Sequence, residues 1–164
     1  MLIFLYFNYL ILYIDFKVTN YLNYYLALEQ AKKSYAEGGI PIGAVLTKDD
    51  VIIGKGHNQR VQRSNPILHG EMDCLQNAGR IEDYTGTVLY TTLSPCMMCS
   101  GTIIQFKIKK IVIGENINFE GNIPFLEQHG VEVELLNDKE TIKLMANFIK
   151  EKPQLWNEDI SEIE

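Results

Sequence analysis

The pattern of apolar and polar residues along the chain predicts a protein that mixes helices and strands. Apolar residues at helical spacing predict helices over residues 20–37, 66–78, 94–106 and 138–150, and a short acidic helix after Pro153. Short β-branched and apolar runs predict strands over residues 42–47, 51–55, 87–92, 110–114 and 131–136. The pair Asp49-Asp50 indicates a hairpin between the first two strands, and the polar stretch 58–65 predicts a loop.

The order of these elements indicates the fold class. Strands alternate with helices through most of the chain, which is typical of a sheet covered by helices on both faces. We therefore expect a three-layer α/β/α sandwich around a central five-stranded mixed sheet. The chain has 164 residues, which fits one domain with a sizeable core.

The N-terminal stretch does not follow this pattern. Residues 1–16 are apolar and aromatic, with one interruption at Asn8. The run is shorter than the roughly 18 to 20 residues of a membrane-spanning helix, and it lacks the basic start and small-residue cleavage site of a signal peptide. We expect residues 1–18 to be an extension outside a domain of residues 19–164, with membrane contact as the less favoured alternative.

Charge and cysteine content narrow the class of protein. The formal net charge is −6, which opposes nucleic-acid binding because such binders usually present a basic surface to phosphates. Three cysteines provide no disulfide framework, and this indicates a reducing compartment. We expect a cytoplasmic protein, with the nucleus as an alternative location.

Two short motifs carry the candidate chemistry: His69-Gly70-Glu71 and Pro95-Cys96-Met97-Met98-Cys99. Zinc binds imidazole nitrogen and thiolate sulfur, and a catalytic zinc site uses three protein ligands and leaves the fourth position to water. His69, Cys96 and Cys99 supply three such ligands. Ser94 suits a helix cap and Pro95 a first helical position, so the two cysteines are expected on the first turn of a helix. A helix N-terminus favours thiolate over thiol.

Glu71 is the candidate proton carrier. It lies two residues from His69, and such neighbours on a helix face different ways, so Glu71 is expected to reach the attacking water rather than the metal. One carboxylate can act as base and then as acid. The alternatives are a redox pair or a structural zinc site, for which Cys74 could be the fourth ligand. We expect Cys74 in the core instead, and we assign neither His57 nor His129 to the metal.

The two motifs together form a known signature of zinc deaminases. Longer segments extend the similarity: EGGIPIGAVL from Glu37, GKGHNQR from Gly54, LHGEMDCLQNAGR from Leu68, LYTTLSPCMMCSGTII from Leu89, IVIGENINF from Ile111 and FIKEKPQLWNEDI from Phe148. From about residue 20 to its end, the chain resembles the fungal-type cytosine deaminases of the zinc-dependent cytidine/deoxycytidylate deaminase superfamily. The resemblance implies a cytidine deaminase-like fold, one catalytic zinc ion per chain and a homodimer.

The resemblance also implies the reaction, which is hydrolytic deamination of free cytosine to uracil and ammonia in pyrimidine salvage, with 5-fluorocytosine also accepted. Two features are similar to those of the cytosine enzymes: Gly70, between the histidine and the glutamate, and the closing Trp-x-Glu-Asp. Guanine and tRNA adenosine deaminases usually have alanine at the position of Gly70.

Substrate contacts follow from the same resemblance. Asn58 would bond the base through its amide, the backbone of Glu71 and Ser94 would read the base edge, and Asp159 would bond the substrate amine or Asn58. Phe119 and Trp156 would form the walls of the pocket, and Ile40 would line its floor. Three departures from the family pattern lie near the expected lid: Leu155, Asn157 and the segment 120–124.

Two other readings remain at this level. The chain could deaminate guanine or adenosine in tRNA, but the segment from Pro153 onward has four acidic residues and no basic one, which opposes RNA. It could also be a non-catalytic, zinc-stabilised interaction domain. The presence of Glu71 argues against that role, because a structural zinc site does not need a carboxylate that is not a ligand.

Overall fold

The computed structural model describes residues 2–162, with the side chains of residues 19–162. Seven helices alternate with five strands in this part of the chain. The helices are α1 Leu2–Ala36, α2 Arg60–Arg63, α3 Gly70–Ala78, α4 Met97–Gln105, α5 Ile123–Gln128, α6 Lys139–Glu151 and α7 Pro153–Asp159. The strands are β1 Gly43–Lys48, β2 Val51–His57, β3 Thr87–Leu93, β4 Lys110–Glu115 and β5 Glu132–Leu135.

The strands form one mixed sheet in the order β2-β1-β3-β4-β5. Strand β1 is antiparallel to both β2 and β3, whereas β3, β4 and β5 are parallel. Asp49 and Asp50 join β1 to β2 with φ angles of 49° and 64°, the left-handed backbone that a two-residue hairpin requires. The predicted hairpin and the five-stranded mixed sheet are both confirmed.

Alternate residues of the central strands point to opposite layers. Val45, Tyr90 and Val112 pack against Tyr24 and Ala27 of α1. Their strand neighbours face the other way, into a larger core that includes residues of α3, α4 and α5: Ala44, Leu46, Leu89, Ile111, Ile113, Leu75, Ile103 and Leu126. Since side chains alternate along a strand, one sheet buries two layers of helices. The expected three-layer sandwich is confirmed.

Helix α1 begins earlier than the predicted residue 20. It runs from Leu2 to Ala36, and its buried residues include Asn20, Asn23 and Tyr24. The side chains of the expected extension, residues 1–18, lie outside the described residues. Among the residues that are described, no helix combines the length and apolarity needed to cross a membrane.

Several element boundaries also differ from prediction. Residues 60–63 form a short helix within the predicted loop, and α3 begins at Gly70 rather than at residue 66. Helix α4 begins at Met97, so Cys96 is its N-cap, and Ser94 and Pro95 lie before the helix. The reason is local, because Cys96 has extended backbone with ψ of 175°. The predicted helix near residue 138 is present, and Asp138 caps it by accepting a hydrogen bond from Thr141 N.

A close approach between β2 and α3 brings the histidine motif to the sheet. A Cβ atom on Gly56 would lie 2.2 Å from the backbone nitrogen of Cys74, so only glycine fits at that point. Cys74 is itself fully buried in the core, as expected. The start of α3, which carries His69 and Glu71, is therefore held firmly against the sheet.

Candidate active site

Two helix N-termini converge at the end of strand β3. His69 is the N-cap of α3 and Cys96 is the N-cap of α4, and both have extended backbone. Their carbonyl groups accept the first helical hydrogen bonds, from Asp73 N and Ser100 N at 2.9 Å each. Cys99 lies one turn further along α4 and is buried. The helix ends direct their free N–H groups and positive partial charge toward this point.

The three side chains form a compact set of metal ligands. The candidate ligand atoms of His69, Cys96 and Cys99 lie within 4.8 Å of one another, and His69 Nδ1 is 3.5 Å from Cys96 Sγ. One imidazole nitrogen and two sulfurs fit tetrahedral zinc with one position left open. Histidine Nε2 points away from this set, 3.7 Å from Asp159 Oδ1, which is a common arrangement for a carboxylate behind a metal-bound histidine.

The surroundings of the two cysteines favour negative charge on sulfur. Hydrogen bonds from Cys99 and His69, together with the charge of His69, lower the pKa of Cys96 to about 4. The pKa of Cys99 is raised because its thiol donates to Cys96 and because it is buried. Both cysteines would bind a metal as thiolates, and metal binding would release the remaining proton.

Glu71 lies beside the ligands but is not one of them. Its Oε1 accepts a hydrogen bond from Thr91 Oγ1 at 2.9 Å, and its Oε2 lies 3.4 Å from Cys99 Sγ. The side chain is 3% exposed, and burial raises the pKa of this carboxyl group. A carboxylate that gains a proton readily and is oriented by a hydrogen bond is suited to moving protons beside the metal.

A small cavity of about 20 Å³ adjoins the metal ligands, which is room for about one water molecule. Its lining includes seven of the residues proposed from the sequence: His69, Glu71, Ser94, Cys96, Phe119, Trp156 and Asp159. Helix α7 covers the cavity with Trp156 and Asp159. The histidine motif, the cysteine motif and the C-terminal helix α7 therefore meet at one cavity.

An aromatic corner forms one wall of the cavity. The rings of Phe119 and Trp156 meet edge to face with centroids 5.9 Å apart. Trp156 is 6% exposed and packs into an apolar cluster with Leu93. Buried Glu115 fixes the loop before Phe119, since one carboxylate oxygen accepts hydrogen bonds from the backbone of residues 117 and 118 at 2.6 and 2.9 Å. Glu115 did not stand out in the sequence.

Polar groups occupy the side of the cavity opposite the aromatic corner. Asn58 Nδ2 donates to Asp159 Oδ1 at 3.2 Å, so the expected contact between these residues is present. Asn58 lies behind Asp159 rather than among the residues that line the cavity. Ser94 Oγ is buried and has no partner among the described residues, which leaves it available to a ligand. Gly121, with φ of 63°, packs so closely on Ser94 that a Cβ atom would lie 2.2 Å from Oγ.

The structure places Ile42, and not Ile40, at the cavity. Ile40 is buried in the adjoining apolar cluster, whereas Ile42 belongs to the lining. A Cβ atom on Gly70 would lie 2.9 Å from the Ile42 carbonyl oxygen. The glycine of the His-Gly-Glu motif therefore allows the start of α3 to sit close to this lining residue.

Sequence reasoning also missed Thr91, which orients Glu71, and the lining residues Leu93 and Ile160. Thr91 lies on a predicted strand, and the alternation of side chains along the strand directs it toward the site. The same alternation applies to every strand residue, so it does not single out Thr91. The remaining histidines make other contacts, as expected. His57 Nε2 bonds Glu37, and His129 Nδ1 bonds the carbonyl of Phe125.

A buried His–Cys–Cys ligand set with a carboxylate beside it defines a zinc-dependent hydrolase site of the deaminase type. Residues 20–115 match the cytidine and deoxycytidylate deaminase zinc-binding region. The chain belongs to that family.

Individual relatives agree with this assignment. Over 140 residues the chain is 58% identical to a cytosine deaminase of Candida albicans, covering 84% of this chain and 93% of the relative. It is 36% identical to a tRNA-specific adenosine deaminase of Buchnera aphidicola over 77% of this chain and 91% of that one.

Solved structures share the fold. A chain from a study of A-to-I editing by tRNA:A34 deaminases superposes with a TM-score of 0.64 at 28% identity, covering 73% of this chain and 95% of that one. A guanine deaminase from Nitrosomonas europaea superposes with a TM-score of 0.67 at 21% identity, covering 77% and 82%.

The division of roles between Glu71 and the ligands predicts separable losses. Glu71→Ala should keep about one zinc ion per chain but lose at least about a hundredfold in deaminase activity, because proton transfer is removed and coordination is not. Cys96→Ala should lose the metal, and the matched Cys74→Ala should keep it. Zinc analysis of the purified variants, alongside ammonia release, checks this. Loss of zinc from Glu71→Ala would make Glu71 a ligand and contradict the assignment.

Proposed function

We propose that this protein is a cytosine deaminase, which hydrolyses free cytosine to uracil and ammonia. The observation that carries the proposal is the cavity beneath α7 beside the zinc ligands, with Glu71 on one side and an aromatic corner on the other. The 58% identity to a cytosine deaminase over 93% of that relative supports the choice of substrate.

The residues of the chain divide the chemistry between them. His69, Cys96 and Cys99 would hold a zinc ion, which would supply Lewis acidity and make water nucleophilic at neutral pH. Glu71, oriented by its hydrogen bond from Thr91, accepts one proton of the attacking water and delivers it to the ring nitrogen. Its raised pKa suits the next step, in which it takes the second proton of that water, now on the oxygen bonded to the ring carbon, and delivers it to the leaving amine.

Recognition of the base rests on stacking and a few polar groups. Phe119 and Trp156 present apolar faces to a heteroaromatic ring. Ser94 and Asp159 supply hydrogen-bonding groups, and Asn58 holds Asp159 from behind. The backbone N–H groups of Glu71 and Ser94 complete the proposed reading of the base edge. Because helix α7 covers the cavity, a free base that fits beneath the helix is favoured over a polynucleotide.

A tRNA adenosine deaminase is the main alternative, because relatives of that kind are 36% identical to the chain. The covering helix argues against it. No basic residue occurs from Pro153 onward, and the nearby Arg60 is already paired with Glu158 and Asp159 of the last turn. The covering segment therefore offers no cation of its own to a phosphate backbone. A guanine deaminase is the second alternative, and Gly70 in place of alanine argues against it.

Ammonia release from purified protein decides among these substrates. Cytosine, cytidine, guanine and an anticodon stem-loop RNA containing adenosine would be compared at equal concentrations, with Glu71→Ala as the inactive control. We expect turnover of cytosine to exceed that of each other substrate by at least about a hundredfold, since a site built around specific hydrogen bonds rejects ligands that leave them unpaired. Preferential turnover of guanine or of the RNA would overturn the proposal.

We further propose that residues 1–18 lie outside the deaminase domain. The family match begins at residue 20, and the residues that line the cavity lie between Ile42 and Ile160. Deleting residues 1–16 should leave zinc content and kcat/KM for cytosine unchanged and should improve solubility, because an apolar stretch is removed. Parallel assays of both forms check this. A truncated protein that folds and binds zinc but is inactive would show that the extension belongs to the catalytic unit.

A homodimer is proposed from an exposed apolar surface beside the zinc-binding helices. Ile67 and Phe106 are 54% and 40% exposed, and they border a groove of about 1060 Å³ that Met72 and Tyr84 also line. Exposed apolar surface of this extent marks an interaction site. Light scattering should give twice the 18.8 kDa mass of one chain, and Phe106→Glu should shift the mass toward one chain. A wild-type protein that is monomeric at micromolar concentration would contradict the dimer.

The proposed setting is pyrimidine salvage in the cytoplasm, with the nucleus as a second location. All three cysteines are free thiols, and the two that form the ligand set must stay reduced to bind metal. The same chemistry extends to 5-fluorocytosine, which differs from cytosine at one ring position.

A further inference from the structure

Helix α7 covers the cavity and is held at both of its ends. At its start, Lys152 joins it directly to α6, and Lys152 Nζ donates to the Gly38 carbonyl at 3.1 Å. In its middle, Trp156 is buried in the apolar cluster beneath. The cavity has room for about one water molecule, so a base enters it only if this helix moves, and the contacts at the far end of the helix control access to the site.

The far end of α7 is bound by one arginine from the other side of the site. Arg60 Nη1 lies 3.1 Å from Asp159 Oδ1, and Arg60 Nη2 lies 3.3 Å from Glu158 Oε1. The arginine side chain is 13% exposed and that of Asp159 is 4% exposed. A guanidinium presents parallel N–H groups that two carboxylates can accept at once, a geometry that lysine cannot reproduce.

The placement of the two acidic residues supports a role for this contact. Both lie in the last turn of α7, where the helix end carries partial negative charge and carboxylates are unfavourable. Helix stability therefore does not account for the two acidic residues. Their ion pairs with Arg60 account for them, because these pairs join the end of the helix to the loop that carries Asn58.

The contact also orients a group of the active site. Asp159 Oδ1 is approached by Asn58 Nδ2, Arg60 Nη1 and His69 Nε2, at 3.2, 3.1 and 3.7 Å. The backbone nitrogen of Arg60 donates to Asn58 Oδ1 at 3.0 Å, which fixes the amide in turn. Among the described residues these contacts all use Oδ1, so Oδ2 of Asp159 is left for a ligand.

We propose that Arg60 is a positioning residue that latches helix α7 over the cavity and holds Asp159 toward the substrate. This inference deepens the proposed function and rests on it for its kinetic consequences. Among the described residues, the hydrogen bonds and ion pairs of the Arg60 side chain go to Asp159 and Glu158 and not to Glu71 or the zinc ligands, so it acts through Asp159 and the covering helix.

The chain's one tryptophan, Trp156, reports the position of α7 without any substrate. Arg60→Ala should shift its emission to longer wavelength and raise the acrylamide quenching constant at least about twofold, because an opened helix exposes a ring that is now 6% exposed. Arg60→Lys should lie between wild type and Arg60→Ala, as should Glu158→Gln. Arg63→Ala is the matched control, since it removes an exposed arginine of the same short helix that has no ion-pair partner among the described residues.

Kinetics with cytosine provide the second measurement. Arg60→Ala should raise KM about tenfold and keep kcat within about threefold of wild type, because substrate retention is weakened while the proton-transfer group is unchanged. Arg60→Lys should recover part of the loss in KM. Zinc content and thermal unfolding confirm that each variant is folded, and if Arg60→Ala does not fold, Arg60→Lys and Glu158→Gln carry the test.

Two results would overturn the latch. One is tryptophan quenching in the Arg60 and Glu158 variants that equals wild type. The other is a loss confined to kcat, which would place Arg60 in the chemical step. Failure of the proposed function is distinguishable, because a wild-type enzyme inactive on cytosine leaves the substrate-free quenching result intact.

Discussion

The meeting of two helix N-termini at one end of the sheet is the constraint on which the active site depends. His69 and Cys96 are the N-caps of α3 and α4, and their extended backbones bring imidazole and thiol to 3.5 Å. Helix α3 is held in place by its close approach to Gly56 of β2. The ligand geometry is therefore set by helices packed on a sheet rather than by flexible loops, which is how a metal site is kept preorganised.

Strand β3 links the metal ligands to Glu71. Thr91 bonds Glu71, and the chain leaves the same strand two residues later toward Ser94 and Cys96. A movement of β3 would displace all of these groups together. Burial raises the pKa of Glu71, and its hydrogen bond from Thr91 limits the orientations it can take. The core of the sheet thus determines both where the metal ligands lie and how the Glu71 carboxylate is oriented.

Local features of the fold and site could be predicted from the sequence, and distant contacts could not. The hairpin, the sheet, and the grouping of His69, Cys96 and Cys99 with Glu71 beside them follow from periodicity and short spacing. The start of α4 was misplaced because Ser94 and Pro95 suit a helix start, whereas the extended backbone at Cys96 determines it. Arg60 and Asp159 are 99 residues apart, and no local pattern connects them. The choice of Ile42 over Ile40 likewise depends on packing around Gly70.

Two carboxylates flank His69, and their surroundings differ in a way that matches different roles. Glu71 lies in the buried interior with a hydroxyl and a thiol as partners, so it can gain and lose a proton without breaking an ion pair. Asp159 meets a guanidinium and an amide, so its position depends on whether α7 is closed. In our proposal Glu71 transfers the protons of the reaction, and Asp159 links substrate binding to the closure of α7. An enzyme that must close over a small base and then release its product needs both a proton carrier and a group that responds to closure. Because these roles lie on two separate carboxylates, the covering helix can open without disturbing the proton carrier.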